Sequence, residues 1–514
     1  MPSYTQSLAQ WFGRLTLDDV PSDLVAHAKL RILDTLGVAL AASSLEYGKV
    51  VRDAAQALGG DGVSRIVAFG DRVAPAWAAM ANGMLAHALI FDDTHNESIV
   101  HPSSPLLSVA LAVGEAVDCT GAEALTAFIG ATELLCRIGL VAQGGFHKAG
   151  FQPTAIVGPV GAAYLASRLY GLDEAAMVHA AGLTASFASG VNESWTDGTW
   201  AQLLHPGWAA HSGVAAALLA KSGYSGPATA LEGRFGLFKT HVQQPDFQFA
   251  YDRVFAGLGT EWESRRISFK PYPCAHVIHP FLDAILALHR DGLHAADIQR
   301  VVCPIAEYMI RVVCEPVHEK RRPASDAQAR TSLQYSLAEA LARGRLDAQS
   351  YRPEALGDRS ILEIADKIEY TVDAAAPTSR QFKGWVIVHT KDGRVLERIE
   401  PFNRGSPDHP LAEADVVHKF EANAALALDG ARVRDLLAIV MDLEKQPSLA
   451  LFTLIDGSFV PSQLRGLNRP WHPTPGPRPP TCRCLFSGGR RIRRASWRAA
   501  RRLAPRRNLS HPWS

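Results

Sequence analysis

Apolar residues recur at every third or fourth position along most of the first 265 residues, the spacing that puts them on one face of an α-helix. Clusters of glycine and proline separate these runs, as expected between helices. The pattern therefore predicts a helical domain. Its predicted helices are Leu24 to Ala42, Ala76 to Ala88, Leu106 to Val117, Ala122 to Ala142, Val157 to Tyr170, Ala175 to Val191 and Trp208 to Lys221.

After residue 265 the pattern changes to short runs rich in β-branched residues, alternating with helical segments. Two of these runs flank Thr390-Lys-Asp-Gly393, which predicts a β-hairpin. We expect a smaller α+β domain with an antiparallel sheet, followed by a return to helices. The predicted strands are Ile298 to Ile305, Ile368 to Val372, Gly384 to His389 and Arg394 to Ile399. The predicted helices are Ala275 to Leu288, Thr331 to Ala342, Leu411 to Leu428 and Arg432 to Leu443.

The C-terminal residues have a different composition. Residues 465–514 contain thirteen arginines, no lysine and no acidic residue, although the whole chain has a net charge of only +1. They are also rich in proline and lack a sustained apolar period, so they are expected to be disordered. A nucleic-acid-binding arm and a shifted reading frame are the two alternative explanations of this tail.

Composition and motifs exclude several classes of protein. The seven cysteines form no C-x-x-C pair, which argues against a disulfide framework or a structural zinc site. The chain shows no signal peptide and no apolar stretch long enough for a membrane span, so we expect a cytoplasmic protein. Neither a P-loop nor a G-x-S-x-G motif is present, and both nucleotide binding and serine hydrolysis are disfavoured.

Candidate chemistry is concentrated between His87 and His101, where three histidines and three carboxylates lie between apolar runs. An imidazole titrates near neutral pH, so His101 is the candidate for proton transfer. Asp92 or Asp93 would orient or charge the site. Metal ligation by these side chains is an alternative, but their spacing matches no common metal motif, and we expect no metal.

Four polar residues each precede a proline and then an apolar run, namely His101, Gln152, His205 and Lys270. Proline is tolerated in the first turn of a helix, where free N–H groups attract anions. If these helix starts converge, they form a pocket for a molecule with several carboxylates. The alternative is that each proline merely begins a helix. Lys270 also lies at the expected seam between the two domains, where ligand clefts often form.

The segment His87 to His101 and the motif Ser268-Phe-Lys270-Pro-Tyr-Pro-Cys-Ala-His276 together resemble the MmgE/PrpD family. Gly198 to Gly213 and the motif Arg404-Gly-Ser-Pro-Asp-His-Pro-Leu match further family signatures, as does Lys419-Phe420. This family includes 2-methylcitrate dehydratase, cis-aconitate decarboxylase and iminodisuccinate epimerase. The resemblance implies a discontinuous helical domain (residues 1–267 and 405–456), an inserted α+β domain (268–404) and a tail (457–514).

The resemblance also implies a cofactor-independent, metal-independent homodimer that acts on a small di- or tricarboxylate. We expect a lyase that works by proton transfer next to a carboxylate, with 2-methylcitrate dehydration as the first choice. A related epimerase or isomerase and a decarboxylase are the alternatives. The expected catalytic residues are His101, Lys270 and Asp93. The expected substrate-binding residues are Asp92, Thr94, Gln152, Gln202, His205 and Tyr272.

Three positions depart from the family pattern. Ile90 stands where many members have Asp, Gln202 where they have Lys, and Gln152 where they have His. Each replacement removes an ionisable group. They favour a further alternative, a binding homologue that has lost turnover.

Overall fold

The computed structural model describes residues 2–377 and 381–449. The predicted disordered tail lies outside these residues. Up to residue 268 the chain forms twelve helices and four two-residue strands. The helices are α1 (Tyr4–Arg14), α2 (Ser22–Ser43), α3 (Glu46–Gly59), α4 (Pro75–His87), α5 (Ser103–Val117), α6 (Gly121–Leu140), α7 (Gly145–Lys148), α8 (Pro153–Leu169), α9 (Glu174–Thr184), α10 (Ser194–Asp197), α11 (His205–Lys221) and α12 (Leu237–Val242). The strands are β1 (Ser64–Arg65), β2 (Arg72–Val73), β3 (Thr94–His95) and β4 (Ile267–Ser268).

Helix α8 lies at the centre of this helical part. It is buried on all sides from Pro153 to Ser167 and packs against α5, α6, α9 and α11. Its sequence is apolar all round, as expected for a helix enclosed by other helices. The central helices thus form the rigid support for the residues at their N-terminal ends.

The predicted helices of this part are confirmed, and all but one of their ends lie within four residues of the predicted positions. The predicted helix from Ala175 ends at Thr184 instead of Val191. Gly190 in the segment that follows has φ of +153°, and a Cβ on it would lie 2.3 Å from the side chain of Ala155. The chain leaves the helix early because it must pass this close to α8.

The α+β part contains α13 (His279–Arg290), α14 (Glu307–Val313), α15 (Val317–Arg321), α16 (Asp326–Ala329), α17 (Leu333–Arg343), α18 (Pro353–Leu356) and α19 (Arg359–Ala365). Its strands are β5 (Ile298–Ile305), β6 (Ile368–Val372), β7 (Gly384–Thr390) and β8 (Val395–Glu400). The sheet order is β6-β5-β7-β8. The pairs β5–β7 and β7–β8 are antiparallel, as predicted.

The pair β5–β6 is parallel, which the sequence pattern did not predict. A parallel neighbour requires a long crossover, and helices α14 to α19 provide it. Helix α13 packs on β7 and β8 as well as on α17. Along β7 the alternate residues Gly384, Val386, Val388 and Thr390 are buried, so one face of the sheet faces this helical layer.

The last helices, α20 (Glu413–Ala424) and α21 (Gly430–Met441), pack on α2. Their buried residues join the apolar core of the first 267 residues, whereas residues 272–388 form a second apolar core. We propose that these two cores correspond to the two predicted domains. None of the described helices is long and apolar enough to cross a lipid bilayer.

A buried ion pair fastens the segment that leads to β4. Arg137 is 1 % exposed and its Nε donates to Oε1 of Glu133 at 2.6 Å. Its other nitrogens donate to the carbonyls of Ala256 and Glu261 at 2.6 and 2.7 Å. Glu133 in turn accepts from the backbone N–H groups of Glu263 and Ser264. Helix α6 therefore holds the chain just before it reaches β4.

We expect Arg137→Ala to lower the melting temperature strongly, because it leaves the Glu133 carboxylate buried without its cation. Breaking a buried pair costs ~3 to 5 kcal/mol. The control is Arg265→Ala, which breaks a pair with Asp23 whose side chains are 43 % and 68 % exposed. Such an exposed pair contributes less than about 1 kcal/mol. Equal shifts of the two melting temperatures would contradict this interpretation of the segment.

Candidate active site

The two sequence motifs are joined by a short antiparallel ladder. Strand β3 pairs with β4, with Thr94 opposite Ser268 and His95 opposite Ile267. This pairing brings Lys270, two residues beyond β4, next to the polar segment that contains Asp92. Two segments separated by almost 180 residues thus form one site.

Asp92 is the centre of the polar cluster. Its carboxylate is fully buried, and both of its oxygens lie 2.9 Å from Nδ1 of His87. Oδ2 also accepts a hydrogen bond from the hydroxyl of Ser104 and lies 3.5 Å from Nδ1 of His101. Oδ1 lies 3.8 Å from Nζ of Lys270. Burial acts to raise the pKa of Asp92, but the two imidazoles outweigh it and hold the pKa well below its usual range.

His101 is held with one ring nitrogen facing protein acceptors. Its Nδ1 lies 3.0 Å from the backbone carbonyl of Asp93, which fixes Nδ1 as the protonated nitrogen of the neutral ring. The described residues offer no hydrogen bond to Nε2. Burial, and then the charge of Lys270, lowers the pKa of His101 to about 4. At neutral pH the ring is therefore uncharged, with an unprotonated Nε2.

Lys270 is fully buried at the other side of Asp92. Its ammonium donates to the carbonyl of Ile90 at 3.3 Å, and its side chain is 1 % exposed. Burial lowers the pKa of Lys270, while the nearby Asp92 opposes this effect. A buried ammonium beside a buried carboxylate gives the site a fixed local field.

The expectation that Lys270 sits beside the start of a helix is wrong, and the helix predicted from Ala275 begins at His279. Residues 271–274 form bends, and the next helix begins only at His279, after a short 3₁₀ turn at His276–Ile278. Lys270 and Tyr272 each precede a proline, and this disfavours the helical backbone conformation at both positions. The other three predicted sites do lie at the starts of α5, α8 and α11.

Two β-branched residues with left-handed backbone conformations flank the segment that carries Asp92. Ile90 has φ of +51° and Ile99 has φ of +58°. This region is unfavourable for β-branched side chains and costs about 1–3 kcal/mol at each residue. Such strain persists only where surrounding contacts enforce it, and here the Ile90 carbonyl accepts from Lys270.

Lys419 of α20 provides a second contact of this kind. Its ammonium donates to the carbonyl of Phe91 at 2.8 Å and lies 3.7 Å above the centre of the Phe91 ring. The same nitrogen is 2.7 Å from Oδ1 of Asp34 in α2. The C-terminal helices therefore hold the backbone immediately before Asp92.

Asp93 is buried, but its carboxylate turns towards α5. It accepts hydrogen bonds from the backbone N–H and the hydroxyl of Ser103, at 3.1 and 2.5 Å. Burial raises the pKa of Asp93 to about 6, although Arg31 opposes the shift. Asp92, rather than Asp93, contacts His101 and Lys270 through its carboxylate. A catalytic role of Asp93 remains a prediction.

The starts of three helices meet around His101 and His87. The backbone N–H of His101 donates to Oγ1 of Thr154 in the first turn of α8, at 2.8 Å. Gln152 caps the same helix, because its Oε1 accepts from the N–H of Ala155 at 3.0 Å. His205, the first residue of α11, lies close enough for His87 to influence its pKa. Thr94 is buried, with Oγ1 3.4 Å from Nδ1 of His101.

Two predicted site residues are held by groups outside this cluster. Gln202 accepts a hydrogen bond from Nε1 of Trp195 at 2.9 Å, and Trp195 is itself exposed. The hydroxyl of Tyr272 donates to Asp283 at 2.8 Å, beside Arg404. Substrate binding by Gln202 and Tyr272 stays a prediction.

The structure adds residues that the sequence did not single out. His87 ends α4 and holds Asp92, and Lys419 holds Phe91. His276 accepts from Asn403 at 2.8 Å. Burial, and then His279, lowers the pKa of His276, and Lys270 and His101 act in the same direction. The signals were present, because His87 opens the polar segment, Lys419 lies in a family signature and His276 ends the Lys270 motif.

The ligand atoms of His87, Asp92 and His101 all lie within 4.8 Å of one another, which is compatible with metal ligation. However, the Lys270 ammonium lies 3.8 Å from Asp92 and would repel a metal cation placed there. Metal-independent chemistry therefore stays our prediction for this site.

His205 provides a test of the electrostatics around the site. Burial, and then His87, lowers its pKa to about 4. In the unfolded chain the imidazole titrates near pH ~6.5. Because the pKa of His205 is lower in the folded protein than in the unfolded chain, the stability present above pH ~6.5 is lost as the pH falls towards 4. At pH 5, protonation of His205 in the unfolded chain should lower the free energy of unfolding by roughly 2 kcal/mol.

We therefore expect the melting temperature to fall less between pH 7.5 and pH ~5 in His205→Asn than in the wild type. Values at pH ~7.5, where both states of the imidazole are neutral, provide the baseline. Parallel curves for the two proteins would show that His205 titrates normally in the fold.

Comparison with known proteins gives matches to both parts of the fold. Residues 6–250 match the MmgE/PrpD N-terminal domain and residues 272–445 match the MmgE/PrpD C-terminal domain. The chain is 26 % identical over 468 residues to a cis-aconitate decarboxylase of Aspergillus terreus, covering 86 % of this chain and 93 % of the relative. It is 27 % identical over 480 residues to the cis-aconitate decarboxylase of Homo sapiens, covering 90 % and 96 %.

A 2-methylcitrate dehydratase of Salmonella typhimurium is 26 % identical over 462 residues, covering 81 % of this chain and 90 % of the relative. These relatives are enzymes, and the prediction of an enzyme of lyase type is confirmed. The two matching domains span most of the residues that form the fold and the polar cluster. The chain belongs to the MmgE/PrpD family.

Proposed function

We propose that this protein is a cofactor-independent lyase that acts on a small di- or tricarboxylate by proton transfer at the carbon next to a carboxylate. The observation that carries the proposal is the Asp92 carboxylate shared by a neutral imidazole, His101, and a buried ammonium, Lys270. A base and a cation on one anchoring carboxylate are the minimum that this chemistry requires.

His101 acts as the base in this proposal. Its Nδ1–H is engaged by the carbonyl of Asp93, so Nε2 is left to take the proton from the substrate. The ring then becomes an imidazolium, and the Asp92 carboxylate next to Nδ1 stabilises that charge. With its pKa lowered to about 4, His101 is neutral at pH ~7 and able to accept a proton there.

Lys270 supplies positive charge. Proton removal next to a carboxylate leaves an enolate-like anion, which a nearby ammonium stabilises in a site closed to water. Lys270 also lowers the pKa of His101, so its removal should change both the rate and its pH dependence. The N-terminal ends of α5, α8 and α11 add partial positive charge, which favours the carboxylates of the substrate.

Two reactions fit this arrangement. In dehydration, His101 removes a proton from the carbon next to the carboxylate and a double bond forms. The hydroxyl of the neighbouring carbon leaves as water with the proton that the His101 imidazolium returns to it. Because proton removal comes first, the neutral His101 favours dehydration of 2-methylcitrate as the first candidate. Decarboxylation of cis-aconitate is the second candidate. The observation in its favour is that the decarboxylases align with more of this chain than the dehydratase does. The decarboxylases named above align with 86 % and 90 % of this chain, compared with 81 % for the dehydratase.

We also propose that the enzyme works as a homodimer in the cytoplasm. Epimerisation of a related polycarboxylate would use the same proton removal, followed by return of the proton to the opposite face. These assignments rest on the resemblance to the MmgE/PrpD family. The proposed steps need no group beyond those already named.

The turnover test compares wild type, His101→Gln and Lys270→Met on 2-methylcitrate and on cis-aconitate, with products identified by mass spectrometry as losses of water or CO₂. We expect each variant to lose ~10²-fold or more in kcat, because an acid–base group or a stabilising charge has been removed. The activity that remains in Lys270→Met should also begin to fall at a higher pH than wild-type activity when the solution is acidified. Without the ammonium of Lys270 nearby, the pKa of His101 is higher.

The matched controls are His289→Gln and Lys383→Met, which change residues bound to Leu293 and Asp373 in the α+β part. Wild-type rates in either site variant would remove that residue from the mechanism. If the wild type binds both acids in a thermal-shift assay but turns over neither, the alternative of a binding homologue is correct.

Metal removal gives an independent result. We expect dialysis against a chelator to leave turnover and melting temperature unchanged, and metal analysis to find less than stoichiometric zinc, iron or magnesium. Among the described residues, Asp92 is the one carboxylate that contacts His101. The ammonium of Lys270 lies beside it and would repel a metal cation. One tightly bound metal per chain, lost together with activity, would overturn the metal-independent mechanism.

A further inference from the structure

Arg330 joins the two segments that meet in the site. It follows α16 in the α+β part and is 2 % exposed. Its Nη1 donates to the carbonyl of Pro273 at 2.9 Å and to the carbonyl of Leu89 at 3.4 Å. Pro273 belongs to the Lys270 motif, and Leu89 precedes the residue whose carbonyl accepts from Lys270. One guanidinium nitrogen thus connects the lysine segment to the aspartate segment.

We propose that Arg330 is a positioning residue for the Lys270–Asp92 pair. The inference rests on the proposed function, because it assigns Arg330 a part in turnover through that pair. Among the described residues, Arg330 contacts neither His101 nor Asp92, and it acts by fixing the backbone on both sides of the pair.

The link is rigid at its lysine end. Two prolines, Pro271 and Pro273, restrict the backbone between Lys270 and the carbonyl that Arg330 holds. The carbonyl of Arg330 itself accepts from the N–H of Ala275 at 2.8 Å, so both its backbone and its side chain hold this motif. A shift of the guanidinium would therefore be passed on to Lys270.

The link is strained at its aspartate end. Leu89 immediately precedes Ile90, whose φ of +51° places it in the left-handed region. Two cations hold these consecutive carbonyls, Arg330 at Leu89 and Lys270 at Ile90. Loss of the first contact leaves the strained residue with one restraint fewer, so the position of Asp92 relative to Lys270 should become less defined.

The chemistry of arginine suits this role. The guanidinium carbon lies 4.8 Å from the centre of the Tyr351 ring, and Nε lies 3.9 Å from Asp326. A planar guanidinium can pack on the ring while its edge donates to two carbonyls, whereas a lysine keeps the charge but loses the stacking. Lysine should therefore restore part of the function that methionine removes.

The experiment compares Arg330→Met and Arg330→Lys with the wild type on cis-aconitate and 2-methylcitrate. The control is Arg321→Met, because Arg321 also donates to a backbone carbonyl, that of Ile368, in the same part of the fold. We expect Arg330→Met to lose ~10-fold or more in kcat with KM changed less than ~3-fold, since a small displacement of catalytic groups is costly while substrate contacts are kept. Arg330→Lys should be intermediate, and Arg321→Met should keep the wild-type kcat.

Melting temperatures of all three variants separate positioning from folding. A fall in kcat for Arg330→Met that exceeds that of Arg321→Met at a similar melting temperature supports the proposal. If Arg330→Met and Arg321→Met lose similar amounts of melting temperature and both keep the wild-type kcat, the proposal is overturned. Arg330 would then serve folding alone.

A crystal structure of Arg330→Met tests the inference without turnover. We expect the carbonyls of Leu89 and Pro273 to separate and Lys270 to move from the carbonyl of Ile90. An unchanged Lys270–Asp92 geometry overturns the proposal. If wild type turns over neither acid, the proposed function fails on its own, and this structure still decides the role of Arg330.

Discussion

The end of helix α4 leaves three consecutive backbone carbonyls inside the protein, where each needs a donor. An unpaired buried carbonyl costs free energy comparable to a lost hydrogen bond, so the fold must bring donors to this point. All three donors are cationic side chains from later parts of the chain. The carbonyls of Leu89, Ile90 and Phe91 accept from Arg330, Lys270 and Lys419, respectively.

These three contacts join the helical part of the fold to the α+β part and to the last helices. Two of the donors come from residues 268–404 and the third from α20, which packs on α2 and pairs there with Asp34. Loss of either part would leave buried carbonyls unpaired directly before Asp92. The candidate site is therefore assembled only when the whole described fold is in place.

The same contacts determine the electrostatics. Buried cations near buried carboxylates would be costly if separate, but Asp92 lies within reach of His87, His101 and Lys270 together. The result is an ionised carboxylate beside a neutral imidazole, and this division of charge is what a proton-abstracting site requires. The left-handed backbone at Ile90 and Ile99 shows that the fold accepts local strain to present this segment.

Much of the fold could be predicted from the sequence, because its elements have strong and local signals. Strands β5 and β6 begin and end at the predicted residues, since runs rich in β-branched residues mark them in the sequence. Helix α3 was missed, although its buried residues Tyr47, Val51 and Ala55 follow one another at the spacing of a helix. The parallel pairing of β6 depends on a long crossover that no local pattern encodes.

The site was predicted less completely, since its contacts join distant parts of the chain. Asp92, Thr94, His101 and Lys270 do meet, because polar residues between apolar helices stand out in a sequence. Lys419 was noted only within a family signature, and Arg330 was not noted at all, because a single basic residue in a helical segment is ordinarily solvated and only tertiary packing buries it. The direction of the Gln202 side chain is likewise set by a tertiary contact, its bond with Trp195.

The central claim is that His101 is a neutral base with Nε2 free, held by Asp93 and Asp92. Nitrogen NMR of histidine-labelled protein, with the signals of His101 assigned from a His101→Gln variant, measures this directly. The account predicts a proton on Nδ1, none on Nε2 at pH ~7, and protonation of the ring only near pH 4, where burial and Lys270 have placed its pKa. A ring that carries its proton on Nε2 at neutral pH, or is already charged there, would contradict the account.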